Sequence, residues 1–475
     1  MQSLTIRPAL AVAALSTMVV IAGCQSYDPS PLDAAAHREA WQARTPADES
    51  VTAFAERLNK ASPDKTVAYD PEDGIELAEG EMIALVYNPD LRLARLKAGV
   101  ALATADHAGL WDDPQLGVDL LRITESVSDP WIVTAGLAIT LPISGRLEAE
   151  KSRADAAYQV QLLKVAEAEW KVRHEVRLTW LEWSAAKVKL QQQEQLIESI
   201  GTLVDATKKL ADAGELPTTE AGLFEIERVQ RRYELRRLQG KVATAEQHLR
   251  ALMGLSPKAP LKLNPQVISV ATSDDDTKKT TVDNNPALAR LSQEYEVAEQ
   301  TLRREARKQY PDLTIGPVVE SDEGQSRIGL SGGIPLPILN ANKQGIAEAK
   351  AERELARAAY ETEYERLVGL LAQTQAKAKA LTGERELVAG EMAPLVDQQV
   401  ARARKLLDLG EGGGLVLLES LVRAHETKLH LIDVRLDEAK AYAELTYLAG
   451  PATSTTQNKT QQDPPSAKPV EEVSP

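Results

Sequence analysis

The chain has 475 residues, 70 acidic against 55 basic side chains for a formal charge of −15, 43% hydrophobic and only 4% aromatic content, with two phenylalanines, Phe54 and Phe224. So few large aromatics cannot furnish one big globular core, since aromatics supply much of the buried area in most cores, and an Ala, Leu, Glu, Lys and Arg-rich chain points to long helices packed side by side. The acidic balance excludes a nucleic-acid footprint, which needs clustered basic charge, and the single cysteine excludes a disulfide framework and a cysteine-based zinc site.

Met1 to Arg7 is short and carries positive charge, and Ala9 to Ile21 is almost uninterrupted apolar sequence, too short to span a bilayer comfortably as a mature helix. It ends in Ile21, Ala22, Gly23 and Cys24. Small residues before the only cysteine of the chain, behind an apolar run, resemble a bacterial lipobox. That resemblance implies a signal peptide over 1–23, cleavage before Cys24 and acylation of Cys24 (palmitate among the chains), and Gln25 in place of Asp implies passage to the outer membrane. The alternative is an ordinary secretory signal with an incidental cysteine. Several acyl chains anchor firmly, at about 0.8 kcal/mol per buried methylene. No later segment reaches ~18 consecutive apolar residues, so any further crossing has to be a closed β-barrel.

Residues 24–75 read as a loosely ordered, lipidated lead-in. From there the chain is written twice, at a spacing of nearly 200 residues. Asn88-Pro89 recurs as Asn285-Pro286, Pro114 to Leu116 as Pro311 to Leu313, and Leu137 to Ile143 as Leu330 to Ile338; Gly214-Glu215 recurs as Gly410-Glu411, and Leu252 to Gly254 as Leu448 to Gly450. The expected units are a first repeat over 76–257, a linker over 258–284, a second repeat over 285–450 and a Pro-rich, disordered tail over 451–475.

Each repeat opens with a helix near Pro89 or Pro286, where proline suits a first turn. Two short strands follow, at 116–123 and 132–141 in the first repeat and 313–319 and 327–336 in the second. Val133, Ala135, Leu137, Ile139 and Leu141 share one face opposite Thr134, Gly136, Ala138 and Thr140; Ile328, Leu330, Ile334 and Leu336 likewise oppose Arg327, Gly329, Ser331 and Gly333. This period-two pattern suits either a lipid-facing barrel strand or a soluble hairpin with one dry face. A proline-free stretch from Gly145 to Ala213 predicts a helix of ~100 Å at 1.5 Å per residue. Its counterpart, Ile346 to Leu409, contains Pro394, which predicts a kink or break. Heptad seams are predicted at Leu196, Ile200, Leu203, Thr207 and Leu210, at Leu235, Leu238, Val242, Ala245, Leu249 and Leu252, and at Leu418, Val422, His425, Leu429, Ile432, Leu436, Ala439 and Ala443. The Gly-Glu turns between long and returning helices read as hairpin tips.

A duplicated unit of helix, two strands, long helix, glycine-containing tip and returning helix resembles the TolC-type outer-membrane efflux channels over about residues 76–450. The resemblance implies a mainly α fold with a small β part: coiled-coil hairpins forming an α-barrel, and four strands per protomer in a trimeric, twelve-stranded β-barrel. It also implies a homotrimer spanning the outer membrane and the periplasm, with a periplasmic adaptor protein and an inner-membrane efflux pump as partners. Asp212, Gly214, Glu215, Asp408, Gly410 and Glu411 would form the periplasmic gate and docking tip. Ile334 to Ile338 with Asn340 to Ala347, and the tips with Leu417 and Leu418, are similar to the heavy-metal, CzcC-like branch. Departures are the Pro217-Thr218-Thr219 turn and a thin aromatic belt of Trp111, Trp131 and Tyr310.

No catalytic constellation and no cofactor site is predicted, so the chain is not expected to be an enzyme. His37, His107, His174, His248, His425 and His430 are scattered, and His425 and His430 miss the i, i+4 spacing of a helical ligand pair. His425 reads as packed on the seam, with metal ligation the alternative. Trp170, Trp180, Leu181 and Trp183 read as a packing cluster, and Arg231, Arg232, Arg236 and Arg237 as a solvated basic face or a contact for acidic neighbours. Threefold symmetry would gather the tip carboxylates around one constriction and favour cations; the alternative is that they are simply solvated. The function implied is an exit duct for small solutes, metal cations or drugs. The rival readings are a periplasmic adaptor lipoprotein, a soluble coiled-coil scaffold and, within the channel reading, the outer channel of a type I protein secretion system.

Overall fold

A computed structural model describes residues 27–61, 69–127, 130–266, 280–322, 325–409, 411 and 413–451. The predicted signal peptide, Cys24, Gly410 and all but Pro451 of the tail lie outside the described residues. The chain falls into two units, one ending at Arg44 and one beginning at Thr45. In the first, helix α1 (Ala34–Gln42) starts where the Asp33 carboxylate accepts from the amides of Ala35 and Ala36. In the second, helix α2 (Glu49–Ala61) buries Val51 and Ala55. The lead-in was expected to be loosely ordered; a side-chain cap and one apolar face give it two helices instead.

Helices α3 (Leu77–Tyr87) and α4 (Pro89–Asp106) are parted by Asn88, whose side-chain oxygen accepts from the amides of Asp90 and Leu91. Strands β1 (Gln115–Arg122) and β2 (Trp131–Leu141) lead into α5 (Arg146–Asp212), 67 residues without interruption. Helix α6 (Thr218–Leu252) returns along it. The same order follows: α7 (Pro286–Arg307), β3 (Leu313–Asp322), β4 (Gln325–Gly333), α8 (Lys343–Leu387), α9 (Ala393–Asp408) and α10 (Gly414–Ala449). Strand β4 stops three residues short of its predicted end, because Pro335 and Pro337 have no amide hydrogen to give a ladder.

The repeated Asn-Pro and Leu-x-Gly motifs turn out to be two halves of one lock. Asn88 Nδ2 donates to Leu252 O at 2.8 Å, and Asn285 Nδ2 donates to Leu448 O at 2.9 Å. The glycine two residues on takes a left-handed turn in each case, φ +66° at Gly254 and +81° at Gly450. A Cβ there would stand 2.1 Å from the carbonyl oxygen of Tyr87 or of Asn284. Only glycine lets the chain pass that close.

Between α8 and α9, Val388–Met392 forms one π turn directly ahead of Pro394. The widened turn absorbs the clash and the missing donor that proline imposes, so the predicted break becomes a bulge rather than a stop. Trp180 and Trp183 are buried edge to face, with centroids 5.9 Å apart, and anchor a core of α3, α5 and α6 that includes Ile83, Val176 and Leu249. A second core joins α7, α8 and α10 through Leu288, Leu367, Leu371 and Leu445.

The seam of α6 packs as expected, with Leu238, Val242 and Leu249 buried. That of α10 differs. Its buried row runs Leu417, Ser420, Ala424, Thr427, Val434, Glu438, Ala441, Leu445 and Leu448, while the predicted row beside it is largely half-buried. Helix α10 lies against α5 on one side and α8 and α9 on the other, so it needs two neighbouring seams. The deeper one carries polar residues whose hydrogen bonds are met: Glu438 accepts from Thr382 Oγ1 at 2.7 Å and from Arg385 Nε at 2.8 Å.

Candidate functional site

The tips follow directly from backbone capping. After Asp212, Gly214 turns left-handed at φ +75°, its amide reaches Ala211 O at 3.0 Å, and the Glu215 amide reaches Leu210 O at 2.9 Å. This pair of bonds is the Schellman ending of a helix, which needs a residue free of Cβ strain. At the second tip α9 ends at Asp408, and the Glu411 amide reaches Leu406 O at 3.0 Å, the same six-residue closure. Asp212, Glu215, Asp408 and Glu411 are all exposed, and none forms an ion pair among the described residues. Each tip therefore presents two exposed carboxylates beside a hydrogen-bonded helix ending.

Both tips hang from one apolar cluster. Phe224 of α6 is wholly buried with Leu196, Ile200 and Val204 of α5 and Leu418 of α10. A Cβ on Gly414 would lie 3.1 Å from the Phe224 ring, so α10 begins pressed against the first hairpin.

One turn further from the tips, a buried polar knot joins the same three helices. Gln193 of α5 is completely buried; its Nε2 donates to Arg231 O at 2.9 Å and to Glu234 at 3.3 Å, and its Oε1 faces His425 Nε2 at 2.7 Å. Arg231 pairs with Glu227 at 2.6 Å and Glu234 at 2.9 Å. Arg231 is thus buried and neutralised rather than part of a solvated face, whereas Arg232, Arg236 and Arg237 are exposed. Burial, reinforced by the nearby Arg231 and opposed by Glu234, lowers the His425 pKa to about 4, so the ring is neutral near neutral pH. No sequence motif marks this knot, because its members come from three helices and pair partly through backbone. Among the described residues, no cluster of His, Cys, Asp and Glu suits a metal ion.

At the opposite end of α5 the four strands form one antiparallel meander, β1-β2-β3-β4, in which the two repeats meet at β2 and β3. Its register builds two unlike faces. One carries Val118, Ala135, Val319 and Ile328 in a row, flanked by Leu116 with Leu137 and by Leu120 with Val133. These large apolar side chains are exposed in the protomer. The other face carries Asp119, Thr134, Glu320 and Arg327 in a row, with Arg327 3.0 Å from Glu320. Among the described residues, the outer edges of β1 and β4 are unpaired. No helix among the described residues is long and apolar enough to cross a membrane.

Residues 83–255 match the family model described as outer membrane efflux protein. No curated protein sequence matches the chain. Among solved structures, CusC superposes with a TM-score of 0.66 at 15% identity, covering 90% of this chain and 100% of its own. The fold is that of the TolC-type outer-membrane channels. The Campylobacter jejuni CmeC outer membrane channel gives a TM-score of 0.66 at 13% identity, covering 79% and 85%. The open-state Neisseria gonorrhoeae MtrE outer membrane channel gives 0.64 at 16%, covering 79% and 89%. The shared fold sets a four-stranded sheet at one end of α5 and the paired helix tips at the other.

Proposed function

We propose that the chain is the exit duct of a tripartite efflux system. Three copies would join their sheets into a twelve-stranded barrel in the outer membrane and their helices into a periplasmic tube. Small solutes, metal cations or drugs, would enter at the tips from an adaptor and an inner-membrane pump. The observation that carries the reading is the meander: an exposed apolar face, a reverse face crossed by a charged and polar row, and two edges unpaired among the described residues, mounted on a helix of ~100 Å. Open backbone edges cannot stand in lipid, so such a sheet reaches the bilayer only by closing with further copies. Its strands, of 8, 11, 10 and 9 residues, come close to the 9–11 that a tilted membrane strand requires.

The helices support the same assembly. Leu223, Ile226, Val229 and Tyr233 make an exposed apolar stripe on α6, and Met392 and Leu395 at the start of α9 with Leu406 and Leu409 at its end make two further exposed apolar patches. Copies set side by side would cover the stripe and the patches. Cys24 would tether each copy by acyl chains, as the lipobox-like segment before it suggests.

Purified protein in detergent is expected to have the mass of a trimer and to conduct ions when reconstituted in a planar bilayer. Monomers without conductance would overturn the proposal. Cys24→Ser is expected to abolish incorporation of labelled palmitate while trimers persist, and undiminished labelling would remove Cys24 as the anchor.

A further inference from the structure

The two repeats leave their strands in the same way, yet among the described residues only the first exit is seated. After β2, the Ile143 amide bonds back to Leu141 O at 2.9 Å around Pro142; after β4, the Ile338 amide bonds back to Leu336 O at 2.9 Å around Pro337. Each exit is a γ-turn. Each then enters its long helix through a left-handed cap, Gly145 at φ +73° and Asn342 at φ +51°. Arg146 and Lys343 are therefore structural counterparts.

In the first repeat this exit is clamped onto the approach to β3, the first strand of the next repeat. Leu141 is paired with Leu313, the Ser144 amide donates to Asp312 Oδ1 at 3.2 Å, and Arg146 holds Asp312 and Asp112 at 2.5 Å each. Although burial pushes the Asp312 carboxyl up, the hydrogen bonds from Arg146 and Ser144 prevail and lower its pKa, as a formed clamp requires.

In the second repeat no comparable seat is found among the described residues. The exit lies bare: Leu336 is 71% exposed, Ile338 82% and Leu339 91%. The approach to β1 is equally uncovered, with Leu110, Trp111 and Leu116 all more than 60% exposed. By the internal repeat, Leu116 is the counterpart of Leu313 and Gln115 that of Asp312.

We infer that the Ile334–Leu339 exit is a strap that seats on residues 110–116 of a second copy of this chain, placing Leu336 opposite that copy's Leu116. The inference rests on the assembly proposed above and adds the contact that joins copy to copy at the base of the sheet. Gln115 of the receiving copy takes the acceptor role of Asp312, and Lys343 of the donating copy approaches the receiving copy's Asp113, because Asp112 is already held by Arg146. Two exposed apolar segments are covered at one stroke, and a Leu-to-Leu seat then recurs at every junction around the ring, with a Lys–Gln–Asp contact between chains where the junction within a chain has Arg146 on Asp312.

The test is disulfide cross-linking in the full chain. Co-expressed L336C and L116C single variants, oxidised in membranes, are expected to give covalent dimers on a non-reducing gel, and the L336C/L116C double variant is expected to give dimers and trimers. Each single variant alone is the control. A bond within one chain cannot produce these bands, and it is also out of reach: β1 and β4 are opposite edges of a four-stranded sheet, about 14 Å apart at ~4.8 Å per strand, whereas a disulfide needs Cα atoms within about 7 Å. Trimers of native mass that give no cross-link overturn the strap and leave the channel assembly standing. Trimers in which L336C stays open to a lipid-soluble maleimide also overturn it, by seating the segment in the bilayer. Absence of trimers in the unaltered chain overturns the assembly itself, and the strap with it.

Discussion

His425 has one tautomer open to it. Gln193 spends its amide hydrogens on Arg231 O and Glu234, so its oxygen takes the hydrogen on His425 Nε2, and the free Nδ1 is where acid would add a proton. The new cation would face Arg231 and Lys428, with Glu234 the nearby counter-charge, in a site closed to water. A histidine whose folded pKa of about 4 lies below its ordinary value of 6.5 binds fewer protons folded than unfolded. Its contribution to stability is full above pH 6.5 and is lost as pH falls towards 4, by up to about 3 kcal/mol. Glu305 does not confuse this window. Burial pushes its carboxyl up, but hydrogen bonds from Lys308, Asn342 and Arg304 prevail and hold it at about 2, so its contribution fades only below pH 4.5. The expected result is a denaturation midpoint that drops between pH 7 and 4.5 in the unaltered chain and drops less in His425→Gln, which keeps a donor and cannot titrate. Equal slopes would show that the knot does not sense pH.

The glycines of the locks and of the tips separate two costs that a sequence cannot distinguish. Gly254 and Gly214 both sit at positive φ, but a Cβ on Gly254 meets the Tyr87 carbonyl, while one on Gly214 meets nothing within 4 Å. Gly254→Ala is expected to destabilise by about 3 kcal/mol, from left-handed strain plus overpacking, and Gly214→Ala by only about 1 kcal/mol; urea midpoints compare them. Phe224→Ala is expected to cost about 3–5 kcal/mol as a large-to-small change in a filled core. Because Phe224 ties both tips to one cluster, the same variant is expected to raise single-channel conductance in bilayers, and unchanged conductance would mean that the cluster does not restrain the tips. The duplicated elements were legible because each marker acts on its own stretch of backbone, as an Asn-Pro cap, a Gly-Glu turn or a strand of period two. The deeper seam of α10 was not, because Ser420, Thr427 and Glu438 look like surface residues until Thr382 and Arg385 of α8 are brought to Glu438. The Gln193, Arg231 and His425 knot was hidden for the same reason, as pairing across three helices leaves no spacing to read.

At the scale of the proposed assembly, the tip carboxylates pose the question that geometry sharpens. The Schellman turn holds Glu215 close after Asp212, and the Glu411 amide closes back onto α9 near Asp408, so the proposed threefold assembly would bring twelve carboxylates to one end of the tube. Charges fixed within a Debye length of one another, about 8 Å at physiological salt, reinforce each other's potential, and those spread more widely are screened apart. A narrow mouth therefore makes a cation filter of groups that on a wide mouth are merely solvated. Glu215→Gln with Glu411→Gln halves the count while keeping size and hydrogen-bonding shape. The reversal potential in a salt gradient is expected to move from cation-selective towards zero, and the shift is expected to shrink in 1 M salt, where screening falls to ~3 Å. A reversal potential that ignores both changes would mean that the tips are wide and their acids serve only solvation and docking.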